Sequence, residues 1–325
     1  MYRPIFLRYL LIGGNKVTAF FKTLIKNKVM LFMVLPGALW FFFFSYMPLV
    51  GTIVAFKQYR FTREGFWASI VKSEWVGWDN FKFLFSTNDA YLITRNTLFY
   101  NLAFIIIGLV LSVAMAILLS ELVGKKLAKV YQTGMFLPYF LSWVIVGYFA
   151  FSFLSMDRGM LNQVLGWFGV DAIQWYSEPK YWPYILIFVS LWKSIGYNSV
   201  VYLASIMGID KSLYEAAMID GASKWQQIKG ITIPMLSPII IIMTLLAVGR
   251  IFYADFGLFY QVPRDSGTLY AVTNVIDTYV YRGLKTTGEI GMSTAAGLYQ
   301  SVVGFALVMI SNFVVRKIDK DSALF

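Results

Sequence analysis

Six stretches of this chain, at residues 29–55, 97–120, 132–153, 183–207, 234–256 and 293–315, each run for about twenty mostly apolar residues. That is the length at which a helix crosses the hydrocarbon layer of a bilayer. Inside hydrocarbon every backbone N–H and C=O must find its partner within the segment, and a helix achieves this. The stretches predict an all-α transmembrane protein with six membrane-spanning helices. Composition agrees. Of 325 residues, 58% are hydrophobic and 14% charged, whereas a soluble domain carries about a quarter charged.

The charges that remain set an orientation. With the N-terminus inside, the inner segments 1–28, 121–130, 209–234 and 316–325 hold 15 Lys/Arg against 6 Asp/Glu. The outer segments 56–96, 154–182 and 257–292 hold 11 against 10. Basic residues gather on the cytoplasmic side of spans, so both termini are expected there. The same rule accounts for the net charge of +11 without nucleic acid. Residues 1–28 carry six basic and no acidic residues. They read as an uncleaved cytoplasmic arm with an interfacial helix near 17–25. Residues 29–315 then form one transmembrane domain, and 316–325 a cytoplasmic tail.

Whole classes of chemistry drop out. There is no cysteine and no histidine, which removes disulfides, thiol nucleophiles, imidazole acid–base steps and metal ligation through these residues. No carboxylate falls in the middle of an apolar stretch, as an intramembrane enzyme or a proton-coupled carrier would want. No metal site and no catalytic residue are expected. The outer loops hold Trp67, Trp75, Trp78, Trp167, Trp175 and Trp182. These fit an interfacial aromatic belt or a docking surface for an external partner.

The loop between the fourth and fifth stretches, residues 209–234, carries the most information. Glu215-Ala216-Ala217 begins a good helix, and Asp220-Gly221 can turn the chain. Trp225, Ile228 and Ile231 then recur every three residues. The loop predicts two short helices at an angle. One face is apolar, and the other is charged with Glu215, Asp220, Lys224 and Lys229. A rigid handle of this kind can sit in a groove of a cytosolic motor and move with it. An ordinary loop helix has the same pattern.

The stretch EAAMIDGASKWQQIKGITIPMLSP at 215–238 resembles the loop found in permeases of ATP-binding-cassette importers. That pattern is Glu-Ala-Ala, two residues, Asp-Gly-Ala, then an apolar residue and a proline about a dozen residues on. Ile228 stands where many members have Phe, and Ile233 where Leu is usual. Tyr46–Leu49, Ala55–Lys57, WVGWDNFKFLF at 75–85, Asn96–Leu98, FLPYFLSWVIV at 136–146 and Gly208–Asp210 resemble permeases of carbohydrate importers. IDTYVYRGL at 276–284 resembles the LplB-like branch, associated with oligosaccharide and polysaccharide uptake.

The resemblance implies a MetI-like type I importer fold in a bacterial inner membrane, with Glu215, Ala216, Ala217, Asp220, Gly221, Ala222, Trp225 and Ile228 in a coupling helix. It also implies a second homologous permease, two ATPase subunits and an extracytoplasmic solute-binding protein. No G-x-x-x-x-G-K-[ST] phosphate loop occurs in the chain. ATP and magnesium are therefore expected on the partner ATPase, and no cofactor on this chain. A permease for a different solute and a stand-alone carrier are the other readings.

Polar groups inside apolar stretches mark a candidate path. Ser190, Lys193, Ser194 and Tyr197 share one helical face. Lys193 stands ten residues beyond Pro183, roughly 15 Å along a helix. It is expected to face the interior, a water-filled cavity or an acidic partner. Arg250 and Asp255 either form an ion pair, or Lys193 and Arg250 line a sugar path. Aromatic rings stack on sugar faces while amides and hydroxyls read the edges. Tyr139, Trp143, Tyr148, Trp192, Tyr197, Asn198, Tyr253 and Tyr260 are candidates, with packing between helices as the alternative use of each ring. Gly291, Ser293, Ala295, Ala296, Gly297, Ser301 and Gly304 predict close packing of the sixth helix.

Overall fold

The computed structural model describes residues 26–122, 125–157 and 159–318. The helix expected near 17–25 and the tail from 319 onward lie outside them. The chain divides into two compact units, Met1–Val54 and Ala55–Phe325. In the first, helix α1 (Lys28–Phe41) contains Pro36 and has no buried residue. A π turn at Phe42–Tyr46 follows, and then a 3-10 run at Met47–Phe56. The ladder changes register where Pro48 withholds an N–H. The whole run Lys28–Phe56 is long and apolar enough to cross a membrane.

In the second unit, α2 spans Asn88–Ser120, nine residues earlier than its apolar stretch predicts. Thr87 accepts from the Ala90 amide and starts the helix. Asp89 and Arg95 had hidden that first part from hydropathy. Helix α5 (Trp182–Met207) and helix α11 (Ile290–Ile318) lie close to their predicted stretches.

The other two crossings differ from expectation. The straight helix expected at 132–153 is broken. Helix α3 (Lys125–Phe136) runs into a 3-10 turn at Leu137–Phe140. Helix α4 (Trp143–Leu154) restarts from Ser142, whose side chain accepts from Ile145 N. The two arms meet at 99°. Pro138 disrupts the α ladder, Leu141 is extended, and Ser142 is a ready N-cap. The fifth crossing occupies 224–248 instead of 234–256. It runs from α7 (Lys224–Gln227) through a π turn at Ile228–Thr232 into α8 (Ile233–Val248). Among the described residues five runs can therefore cross a membrane, and six if the bent pair is one crossing.

A small antiparallel pair, β1 (Lys57–Gln58) and β2 (Glu74–Trp75), lies between the first two crossings. The main core joins Tyr100 of α2, Val146 and Leu154 of α4, and Trp182 and Leu186 of α5 with Leu258 of α9 (Phe256–Gln261). A second cluster, Ala116, Tyr202, Ile206 and Leu236, joins α2, α5 and α8. Packing is backbone to backbone at Gly196, where an added Cβ would fall 1.9 Å from the Met135 carbonyl oxygen. The close packing expected of the sixth helix is seen at Ala295 and Ala296, both fully buried.

Candidate functional site

Two features stand out, a cavity among the crossings and an exposed helical handle. The cavity encloses about 680 Å³ and is lined by residues of α2, α5 and α8 and of the turn after α8. Its polar wall includes Asn101, Ser112, Ser190, Asn198, Arg250, Tyr253 and Asp255. Ser112 Oγ is buried there with no hydrogen-bond partner among the described residues. A buried hydroxyl with nothing to bond is costly.

Arg250 and Asp255 both line this cavity but do not pair. Arg250 has no ion-pair partner among the described residues. Asp255 instead caps α9, accepting from Gly257 N at 3.0 Å and Leu258 N at 3.3 Å. It also accepts from Trp143 Nε1 at 3.0 Å. The Tyr253 hydroxyl lies 2.7 Å from Ser301 Oγ.

Lys193 has a different position. Its ammonium donates to the carbonyls of Pro138 (3.3 Å), Tyr139 (2.7 Å) and Leu141 (2.6 Å). It sits 5.6 Å from the Tyr139 ring and 5.2 Å from the Trp143 ring. These carbonyls stand at the C-terminal end of a broken helix, where a cation is favourable, and that of Pro138 also accepts from Leu141 N at 3.2 Å. The rings add cation–π attraction. Tyr197 stacks on Tyr139 at 4.3 Å with planes 7° apart. Of the candidate path residues, Asn198, Arg250 and Tyr253 meet at the cavity. Tyr139, Trp143, Lys193 and Tyr197 meet at the break. Trp192 lines a separate apolar groove of about 590 Å³ between α4 and α5. Tyr148 and Tyr260 line a smaller pocket beside Arg264 and Asp265.

The handle begins with α6 (Lys211–Ile219), capped by Asp210, which accepts from Ser212 N. That bond holds the Asp210 carboxyl below the usual carboxylate range. The helix ends on Gly221 at φ +80°. Ala222 N donates to Ala217 O at 2.8 Å, and Gly221 N to Met218 O at 3.1 Å. This is the Schellman arrangement, and the glycine supplies its left-handed residue. Ser223 and Gln226 then form a reciprocal capping box that starts α7.

The two short helical segments expected from the sequence are both present, the second continuous with α8. Glu215, Ala216, Asp220, Gly221 and Trp225 are exposed, while Ala217, Ala222 and Ile228 are half-buried. Ile219 is 86% and Trp225 69% exposed, so the loop presents apolar side chains that the described residues leave uncovered. Lys224 pairs with Glu121 at 2.8 Å, tying the loop to the end of α2.

Sequence reasoning passed over Asn101, Ser112 and Gln300. Each is a polar side chain inside a long apolar run, which is itself the signal that could have found them.

A helical membrane bundle with a polar cavity and an exposed bent handle defines a transport component. Residues 108–320 match the family described as the binding-protein-dependent transport system inner membrane component, and the chain belongs to that family. It is 31% identical over 308 residues to Protein LplB of Bacillus subtilis, covering 95% of each chain. It is 32% identical over 298 residues to the polygalacturonan/rhamnogalacturonan transport system permease protein YteP of the same organism, covering 92% of this chain and 91% of that one. Among solved structures it is similar to a chain of a bacterial ABC transporter involved in the import of the acidic polysaccharide alginate. There the TM-score is 0.83 at 32% identity, covering 93% of this chain and 99% of that one.

Proposed function

We propose that this chain is one half of the translocation path of an ATP-driven importer for an oligosaccharide handed over by an extracytoplasmic binding protein. The observation that carries the reading is the pairing of a polar, intramembrane cavity with a rigid, uncovered handle of the importer-permease pattern. A second permease would complete the path. Two partner ATPases would hold ATP and magnesium, this chain needing no cofactor. Glu215, Ala216, Ala217, Asp220, Gly221, Ala222, Trp225 and Ile228 would seat the handle in an ATPase groove, apolar side chains gripping and charges fixing register. Both termini, 1–28 and 316–325, would face the cytoplasm, with 29–315 as the permease domain. Nucleotide binding would draw the handles together and rock the halves outward-open, and hydrolysis would reset them.

The curated relatives include a transporter of polygalacturonan and rhamnogalacturonan, and a structural neighbour contains an alginate pentasaccharide-bound periplasmic protein. Arg250, at the cavity wall and without an ion-pair partner among the described residues, suits a saccharide bearing carboxylates, which a guanidinium binds through two parallel hydrogen bonds. Asn198 and Tyr253 would read hydroxyl edges and a sugar face beside it. The test is reconstitution of the full transporter in liposomes with the loaded binding protein outside. Oligosaccharide uptake that requires nucleotide hydrolysis is the expected result. Solute movement by this chain alone, with no ATPase present, would overturn the reading.

A further inference from the structure

The cavity wall that carries Arg250 and Tyr253 is a turn, and side chains from three other elements hold its backbone. Helix α8 stops at Val248 and α9 starts at Phe256; Arg250 N, Ile251 N and Tyr253 N still donate three residues back, but the carbonyls of 251–253 take their donors from side chains elsewhere. Buried backbone groups left unpaired are costly. Here four consecutive residues are each tied. Asn101 Nδ2, from α2, donates to Ile251 O at 2.9 Å and Tyr253 O at 3.2 Å. Gln300 Nε2, from α11, donates to Phe252 O at 2.6 Å. Ala254 N donates to Asp277 Oδ2 at 2.8 Å. Asp277 stands in the first turn of α10 (Ile276–Arg282), within the IDTYVYRGL motif. The same Asp277 oxygen accepts from Gln300 Nε2 at 3.2 Å. Carboxylate, amide and turn are therefore one network.

Helix α10 is itself anchored. Ile276 N donates to Thr97 Oγ1 at 3.1 Å. Arg282 bonds Asp265 at 2.6 Å and lies over the Tyr270 ring at 4.2 Å. A displacement of α10 would be carried to the turn through the Asp277 carboxylate, its polar link, and through the apolar cluster that Phe252 shares with Ile276. Tyr253 is held at its other end, its hydroxyl lying 2.7 Å from Ser301 Oγ, one residue beyond Gln300.

We infer that Asp277, Gln300 and Asn101 are positioning residues of the translocation cavity, and that Asp277 is the joint by which segment 257–292 sets the stance of Arg250 and Tyr253. The inference rests on the importer reading for its functional half and on geometry alone for its structural half. The test has one readout for each half.

In the purified permease in nanodiscs, amide hydrogen exchange of 251–254 is compared among the wild type, Asp277→Ala, Asp277→Asn and Thr278→Val. Thr278 bonds Asn274, Val275 and Arg282 but not the turn. Removing the carboxylate is expected to speed exchange about tenfold, the worth of one buried hydrogen bond. Asn, which keeps an acceptor oxygen, and the Thr278 variant are expected to stay near wild type. Unchanged exchange in Asp277→Ala, or equal loosening in Thr278→Val, would overturn the proposal.

In the reconstituted transporter, Asp277→Ala is expected to raise the half-saturating sugar concentration about tenfold, one lost positioning contact, with unstimulated ATP hydrolysis unchanged. A wild-type half-saturation there would overturn the functional half. Should Asp277→Ala not assemble, Gln300→Leu is read the same way. A wild-type transporter that takes up nothing sinks the importer reading and leaves the exchange result standing.

Discussion

The handle at 211–233 and the cavity turn at 249–255 are both bends between helices, yet they are built in opposite ways. The handle is made by its neighbours in sequence. Asp210, Gly221, Ser223 and Gln226 close their caps within a few residues, and most of the side chains stay exposed. The turn has local bonds too, but residues about 25 to 150 positions away hold four of its backbone groups. A bend that must meet a partner carries its shape with it. A bend that must hold a cavity wall is shaped by the rest of the bundle.

This contrast can be broken by substitution. The largest effect is expected at Gly221→Pro. Proline is locked near φ −65° and cannot take the +80° found here. The protein should insert and be recovered in membranes while ATP-driven uptake is abolished, and Glu215→Lys should uncouple uptake in the same way. Gly221→Asn, which tolerates the left-handed region, should keep a measurable part. Normal uptake with proline would mean that the handle does not transmit force.

The next effect lies at the break. Lys193→Met removes a charged donor shared by three carbonyls and should cost about 1.5–3 kcal/mol, the range for hydrogen bonds to a charged group. A lowered unfolding temperature in detergent would show it. A third expectation separates chemistry from architecture. Arg250→Gln should leave the unfolding temperature unchanged, since no ion pair is lost. It should reduce uptake of a uronate-containing oligosaccharide about tenfold relative to a neutral one. Equal loss for both sugars would assign Arg250 to general polarity. The smallest effect is expected at Glu121→Gln. The Lys224–Glu121 pair is exposed on both sides, and such pairs contribute at most about 1 kcal/mol. A large uptake defect would show that the handle leans on α2 more heavily than its geometry implies.

The same contrast explains what could be read in the sequence. Asp220-Gly221 announced the turn of the handle because the glycine acts on its own backbone. Hydropathy located the crossings because burial in hydrocarbon needs only a run of apolar residues. It failed at 132–153, where averaging over about twenty residues smoothed across Pro138 and Ser142, the two residues that break the helix. It failed again at the end of the fifth crossing. The apolar run continues through Phe252, but the backbone there is claimed by Asn101, Gln300 and Asp277. Nothing local in 249–255 names those partners. Lys193 was legible as an unusual cation and not as the cap of another helix, because its acceptors lie more than fifty residues upstream.

The elbow at Leu141 has a further consequence for how such a subunit can move. Its two arms meet at 99°, and an ammonium group fastens the corner through three carbonyl oxygens. Unbending it would strip the ammonium of three acceptors at once. The corner is therefore a bracket and not a hinge. Any stroke that passes through it must carry both arms together with α5, which supplies the fastening.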